Sequence, residues 1–129
     1  MQCSVLVVDD DPDNRDVLAE YLTFCGFRVA CACNGIEALK LALEIQPQVV
    51  LMDLAMPGLD GFEATRRIKA DRLTEHTVVC AITALARSVD RQAALEAGCD
   101  VVFVKPFDIS LLVAEIERLA APDGHSCAS

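Results

Sequence analysis

VLVVDDDP, residues 5–12, is the stretch on which the fold turns. Val5 to Val8 is a short, continuous aliphatic run with three β-branched residues, the pattern of a strand buried on both faces. It breaks at once into Asp9, Asp10 and Asp11, followed by Pro12. An aspartate is a good helix cap and a proline suits the first helical turn, so Asp11-Pro12 predicts a helix starting directly behind the strand. That helix carries Val17, Leu18, Tyr21, Leu22 and Cys25 on one stripe, and Gly26 ends it.

The same unit recurs along the chain. Phe27 to Cys33 alternates more than the first run and so predicts a strand nearer a sheet edge. Asn34 and Glu37 form a capping box for a helix whose apolar face is Ala38, Leu39, Ala42 and Ile45, stopped by Pro47. Val49 to Met52 is a third strand, and Met56-Pro57-Gly58 a loop. A helix from about Asp60 turns Phe62, Thr65 and Ile68 inward. Val78 to Ile82 and Val101 to Val104 are further strands, separated by a small-residue helix from Ser88 to Ala97 that Gly98 terminates. Asp108 caps a last helix with Leu112, Ile116 and Leu119 on one side. Five strand–helix units in strict alternation predict an α/β domain with a parallel sheet covered on both faces, over residues 1–121, and a flexible tail over 122–129.

Composition narrows the function. The 129 residues suit one domain, and an apolar fraction of 53% argues against disorder. No apolar run nears the roughly 18 residues of a membrane span, and the first residues lack the pattern of a secretory signal. The formal net charge is −9 with no basic cluster, which disfavours direct nucleic-acid binding. The seven cysteines are odd in number and form no CxxC pair, so they read as small core residues of a reducing, cytoplasmic protein. Cys31-x-Cys33 is the one pair with a hint of metal spacing. His76 and His125 read as solvated.

Chemistry concentrates at the ends of the apolar runs. Asp9 and Asp10 follow the first, Asp53 the third, Thr83 closes the fourth, and Lys105 closes the fifth, with Pro106 next. Ligands of open parallel sheets bind at the carboxyl ends of the strands, so these five residues are expected to converge. Three carboxylates in one pocket call for a hard cation, while a hydroxyl and an ammonium beside them suit an anion. Together they describe phosphoryl chemistry on Mg²⁺.

VLVVDDD, LMDLAMPGLDG, the ITA holding Thr83 and the Lys105-Pro106-Phe107 run, in this order and at these intervals, resemble the receiver domain of two-component response regulators over residues 4–120. The resemblance implies a flavodoxin-like, doubly wound sheet of five parallel strands in order 2-1-3-4-5 with five helices. It implies that Asp53 takes a phosphoryl group from a histidine kinase or histidine phosphotransfer protein. Mg²⁺, or Mn²⁺ in its place, would be held by Asp10, Asp53 and the backbone carbonyl of Ala55, and by Asp9 through water. Lys105 and Thr83 would meet the phosphoryl group, and the Lys105–Pro106 bond would be cis. Asp11 reads as a helix cap rather than a ligand. The chain would catalyse only its own phosphorylation and dephosphorylation. A downstream protein would bind the face made by the fourth helix, fifth strand and fifth helix.

Three positions depart from the family pattern. Val102 stands where an aromatic residue is usual, three before Lys105; Phe103 beside it should face the other way and pack in the core. Ala55 and Leu85 are apolar where many receivers carry polar side chains, which implies a slowly hydrolysed phosphoryl group. Rival readings are weaker. A haloacid dehalogenase-type phosphohydrolase needs a second acid where Ala55 stands, and a flavodoxin needs a phosphate loop where three aspartates stand. A module with this fold that takes no phosphoryl group, its acids a solvated strand end, is the bland alternative. The stretch after Pro122 is too short for an output domain, so the unit is read as a stand-alone regulator or a receiver from a hybrid kinase or larger regulator.

Overall fold

In the computed structural model, residues 3–54, 61–84 and 87–120 are described. Strands and helices alternate as β1 (Ser4–Val8), α1 (Pro12–Phe24), β2 (Arg28–Ala32), α2 (Gly35–Ile45), β3 (Val49–Asp53), α3 (Gly61–Ala70), β4 (Val78–Thr83), α4 (Ser88–Ala97), β5 (Val101–Val104) and α5 (Ile109–Ala120). All four strand pairings are parallel, and the order is β2-β1-β3-β4-β5. The expected flavodoxin-like topology is therefore present, with the alternating strand β2 at an edge.

The local signals act as anticipated at most element ends. Asp11 Oδ1 accepts from Asp13 N at 3.0 Å to cap α1. Asn34 Oδ1 accepts from Glu37 N at 2.8 Å, and Glu37 reaches back to the amide of Cys33, one residue before the usual capping-box donor. Gly98 closes α4 in the left-handed region. The Lys105–Pro106 peptide is cis.

Side-chain alternation divides the core into two layers. Leu6 and Val8 of β1 join Val50, Met52, Val79, Ala81 and Val102 under α2, α3 and α4. Val5 and Val7 join Val49, Leu51, Cys80 and Ile82 under α1 and α5. Both faces of the sheet are thus dry, which is why the central strands read as unbroken apolar runs. Phe103 packs with the second layer while Val102 packs with the first, as period two requires.

Two helices bury narrower stripes than the sequence pattern predicts. Leu18 and Leu22 of α1 are buried, but Val17 is 62% exposed and Cys25 is also exposed. Ile45, at the last turn of α2, is 44% exposed. A helix lying on a sheet buries only a narrow arc, and residues at its edge or last turn swing clear. The cysteines divide likewise: Cys3, Cys80 and Cys99 are buried, whereas Cys25, Cys31 and Cys33 are exposed and contradict the core reading. Among the described residues, no group of potential metal ligands contains a cysteine. His76 is exposed, as expected. His125, Cys127, the 122–129 tail, the 56–58 loop and the expected helix start at Asp60 lie outside the described residues.

Burial makes the α1 correction testable. Leu22→Ala should lower the unfolding free energy by about 2–5 kcal/mol, because it leaves a cavity against the sheet. Val17→Ala should stay within about 0.5 kcal/mol. Urea titrations of both variants check this; equal losses would mean that α1 packs through a broader face.

Candidate functional site

The strand order creates a seam. The connection from β1 leads to β2 on one side, whereas β3 lies on its other side, so α1 and α3 pack on opposite faces and leave a crevice at the carboxyl ends of β1 and β3. Asp9 follows β1 and Asp53 is the last residue of β3. Carboxylate oxygens of Asp9, Asp10 and Asp53 lie within 4.8 Å of one another. Asp9 and Asp53 are buried and Asp10 is exposed, so the cluster is sunk in the crevice with one open side.

The two buried acids are placed by backbone contacts. Asp9 N donates to Ala32 O at 3.2 Å, extending the β1–β2 ladder by one residue. Its Oδ1 accepts from Asp11 N at 2.9 Å, and its carbonyl accepts from Arg15 Nη1 at 2.9 Å. Its Oδ2 is buried and takes no hydrogen bond among the described residues. Asp53 is placed by the pairing of β3 with β4, opposite Ile82. Close behind it stands Gly61, the first residue of α3, whose amide donates to Leu54 O at 3.3 Å. A Cβ at Gly61 would lie 2.4 Å from Asp53 O and 2.6 Å from Leu54 Cα, so only glycine lets α3 approach the strand end this closely.

Lys105 enters from β5. Its amide donates to Thr83 O at 2.8 Å, and its ammonium lies 3.3 Å from Asp53 Oδ2 and 3.7 Å from Asp9 Oδ2. Thr83 is buried at the end of β4. Asp9, Asp10, Asp53, Thr83 and Lys105 thus share one end of the sheet, and Ala55, the expected carbonyl ligand, lies outside the described residues, as does Leu85. Asp11 is occupied as a cap and joins no ligand cluster among the described residues. Arg15 and Gly61 were missed in the sequence. A lone cation among aspartates, and a glycine at a helix start, were the available signals.

Burial holds the Asp9 carboxyl above the ordinary carboxylate range. The bond from Asp11 N acts in the opposite direction, the Asp53 charge adds to the rise, and Lys105 offsets part of it. Among the described residues, the grouped potential metal ligands at the crevice are all carboxylates, and the buried Asp9 Oδ2 takes no hydrogen bond. Such a donor set fits a hard divalent cation.

Comparison with known proteins agrees with this geometry. The family model described as the response regulator receiver domain matches residues 5–117. The chain belongs to that family. It is 40% identical over 125 residues to the transcriptional regulatory protein PrrA of Mycobacterium tuberculosis, covering 97% of this chain and 53% of that protein. It is 39% identical over 119 residues to the response regulator PleD of Caulobacter vibrioides, covering 92% of this chain and 26% of that protein. The receiver therefore spans about half or less of the length of these relatives. Among solved structures, it is similar to the receiver domain of the sensor histidine kinase PA1611 from Pseudomonas aeruginosa, with a TM-score of 0.86, 33% identity, and coverage of 93% of this chain and 98% of that one. That structure holds a magnesium ion coordinated in its active site cleft. No described helix of the present receiver is long and apolar enough to cross a membrane.

The raised Asp9 pKa makes this acid a stability liability in the metal-free protein. The folded state binds its proton more readily than the unfolded chain does, so the liability is full above the folded pKa and fades as pH falls through it. Asp9→Asn should therefore raise the urea midpoint in EDTA at neutral pH, by a margin that shrinks on acidification. Added Mg²⁺ should raise the wild-type midpoint more than that of the variant, because a ligand of the folded state stabilises it by mass action. A lower midpoint for Asp9→Asn in EDTA would contradict the assignment.

Proposed function

We propose that this receiver is a phosphoacceptor switch: Asp53 accepts a phosphoryl group from a phosphohistidine of a kinase or phosphotransfer protein. The observation that carries the reading is the Lys105 ammonium 3.3 Å from Asp53, beside a cluster of oxygen donors suited to a divalent cation. An Asp53 oxygen forms the new P–O bond while the P–N bond of the donor breaks. Lys105, already beside that carboxylate, offsets charge on the phosphoryl oxygens, and the Thr83 hydroxyl donates to them. Asp9, Asp10 and Asp53 would hold Mg²⁺, which when bound supplies neutralisation of the attacking and transferring oxygens. The protein acts on itself and turns over no external substrate, and it works in the cytoplasm.

Acetyl phosphate or phosphoramidate with Mg²⁺ should add one phosphoryl group, seen by intact mass. Asp53→Asn should abolish the addition, and so should EDTA. Equal labelling of Asp53→Asn would overturn the assignment.

The output is read on the α4–β5–α5 face, where Val89, Leu95 and Leu111 are exposed apolar side chains available to a protein partner. Val102 is buried beside Ala81 and Ala94 and is too short and stiff to swing between exposed and buried positions. The signal therefore travels as a backbone shift between Thr83 and Ser88 and at the start of α4. Structures with and without beryllofluoride should differ there while Phe103 keeps its rotamer. A Phe103 flip with a fixed backbone would overturn this route.

A further inference from the structure

We infer that Arg15 is a positioning residue for the cation site, acting through the backbone of Asp9. Arg15 is the single Lys or Arg among the first 27 residues, in a stretch that holds Asp9, Asp10, Asp11, Asp13, Asp16 and Glu20. It lies in the first turns of α1, where the positive end of the helix dipole disfavours a cation. The dipole therefore does not explain a cation here, but a side-chain contact does. The Arg15 amide makes the ordinary helical bond to Asp11 O at 3.0 Å, as any residue would, and its guanidinium turns back so that Nη1 donates to Asp9 O at 2.9 Å.

The guanidinium contact completes a three-point grip. Asp9 is fully buried, so each of its polar groups needs a partner. Its amide is held by Ala32 O, its Oδ1 by Asp11 N and its carbonyl by Arg15, while Oδ2 is left facing Asp53 and Lys105. Without the guanidinium, the buried carbonyl loses this donor. The turn from β1 into α1 can then relax by rotating the peptide, which moves the carboxylate out of register with Asp10 and Asp53. Groups that orient metal ligands in this way typically contribute tenfold or more to metal affinity. Arg15 touches neither metal nor phosphoryl group and makes the cluster preorganised rather than more charged.

The inference rests on the acidic crevice being a Mg²⁺ site, and isothermal titration calorimetry with Mg²⁺ separates the two claims. Wild-type protein that binds no Mg²⁺ overturns both. If wild type binds, Arg15→Met should weaken binding about tenfold, and Arg15→Lys, which keeps a long cationic donor, should recover part of the loss. Asp9→Asn and the double variant Asp9→Asn/Arg15→Met should bind equally, because the arginine acts through Asp9. Arg15→Met should lower the unfolding midpoint in EDTA modestly, because a buried carbonyl loses its donor, while the protein still folds. If Arg15→Met does not fold, Arg15→Gln, shorter and uncharged, carries the same expectation. Affinity within twofold of wild type for the truncated variant overturns the role of Arg15, and so does an equal further loss when Arg15→Met is added to Asp9→Asn.

Discussion

Mutual repulsion among three carboxylates is the constraint around which this receiver is built. Asp9, Asp10 and Asp53 bring oxygens within 4.8 Å of one another, two of the three residues being buried. At an effective dielectric of about 20, like charges that close cost on the order of a few kcal/mol per pair. Lys105 faces both buried acids and offsets part of this. The remainder is held in place by the fold: the hydrophobic layers on either side of β1 and β3 do not yield to let the acids separate. Local instability of this kind is the usual companion of a functional site.

The topology explains why the cost falls here. The seam between β1 and β3 is the one place in the sheet where successive connections part, and both strands end in acid at that seam. Close approach then matters more than sequence proximity. Gly61 lets α3 press against the carbonyl of Asp53, and Lys105 reaches across from β5 because its amide continues the β4–β5 ladder through Thr83 O. Gly61 belongs to the same LMDLAMPGLDG stretch as Asp53 while Lys105 lies 52 residues further on, and each is useful only once the strands are ordered.

Much of this was legible in the chain because local and long-range signals agree. Asp11-Pro12 and Asn34 announce helix starts by chemistry that needs no tertiary context, and unbroken valine-rich runs announce strands covered on both faces. Sheet order was not deducible from alternation and came from the resemblance of whole motifs. The misses share a cause. Val17, Ile45 and the three exposed cysteines sit at the margins of faces, where a periodic pattern cannot say how wide the contact arc is. Arg15 was missed for a different reason: a lone cation among aspartates marks the residue, but its partner is a backbone carbonyl, which every residue possesses and no sequence pattern marks.

The same electrostatics tie metal and phosphoryl group together in the proposed reaction. A cation in the crevice relieves the repulsion that otherwise turns an anionic phosphoryl donor away. A phosphoryl group on Asp53 in turn places further negative oxygens beside the remaining acids and strengthens the demand for the cation. By linkage, whatever factor the one contributes to binding of the other must be returned in full. A preorganised Asp9 sharpens that coupling, because a carboxylate free to swing into solvent would shed its charge from the crevice and feel neither ligand. Rigidity at the β1–α1 turn is then as much a part of the proposed switch as the proposed phosphoacceptor itself, and the three contacts that fix Asp9 are its physical form.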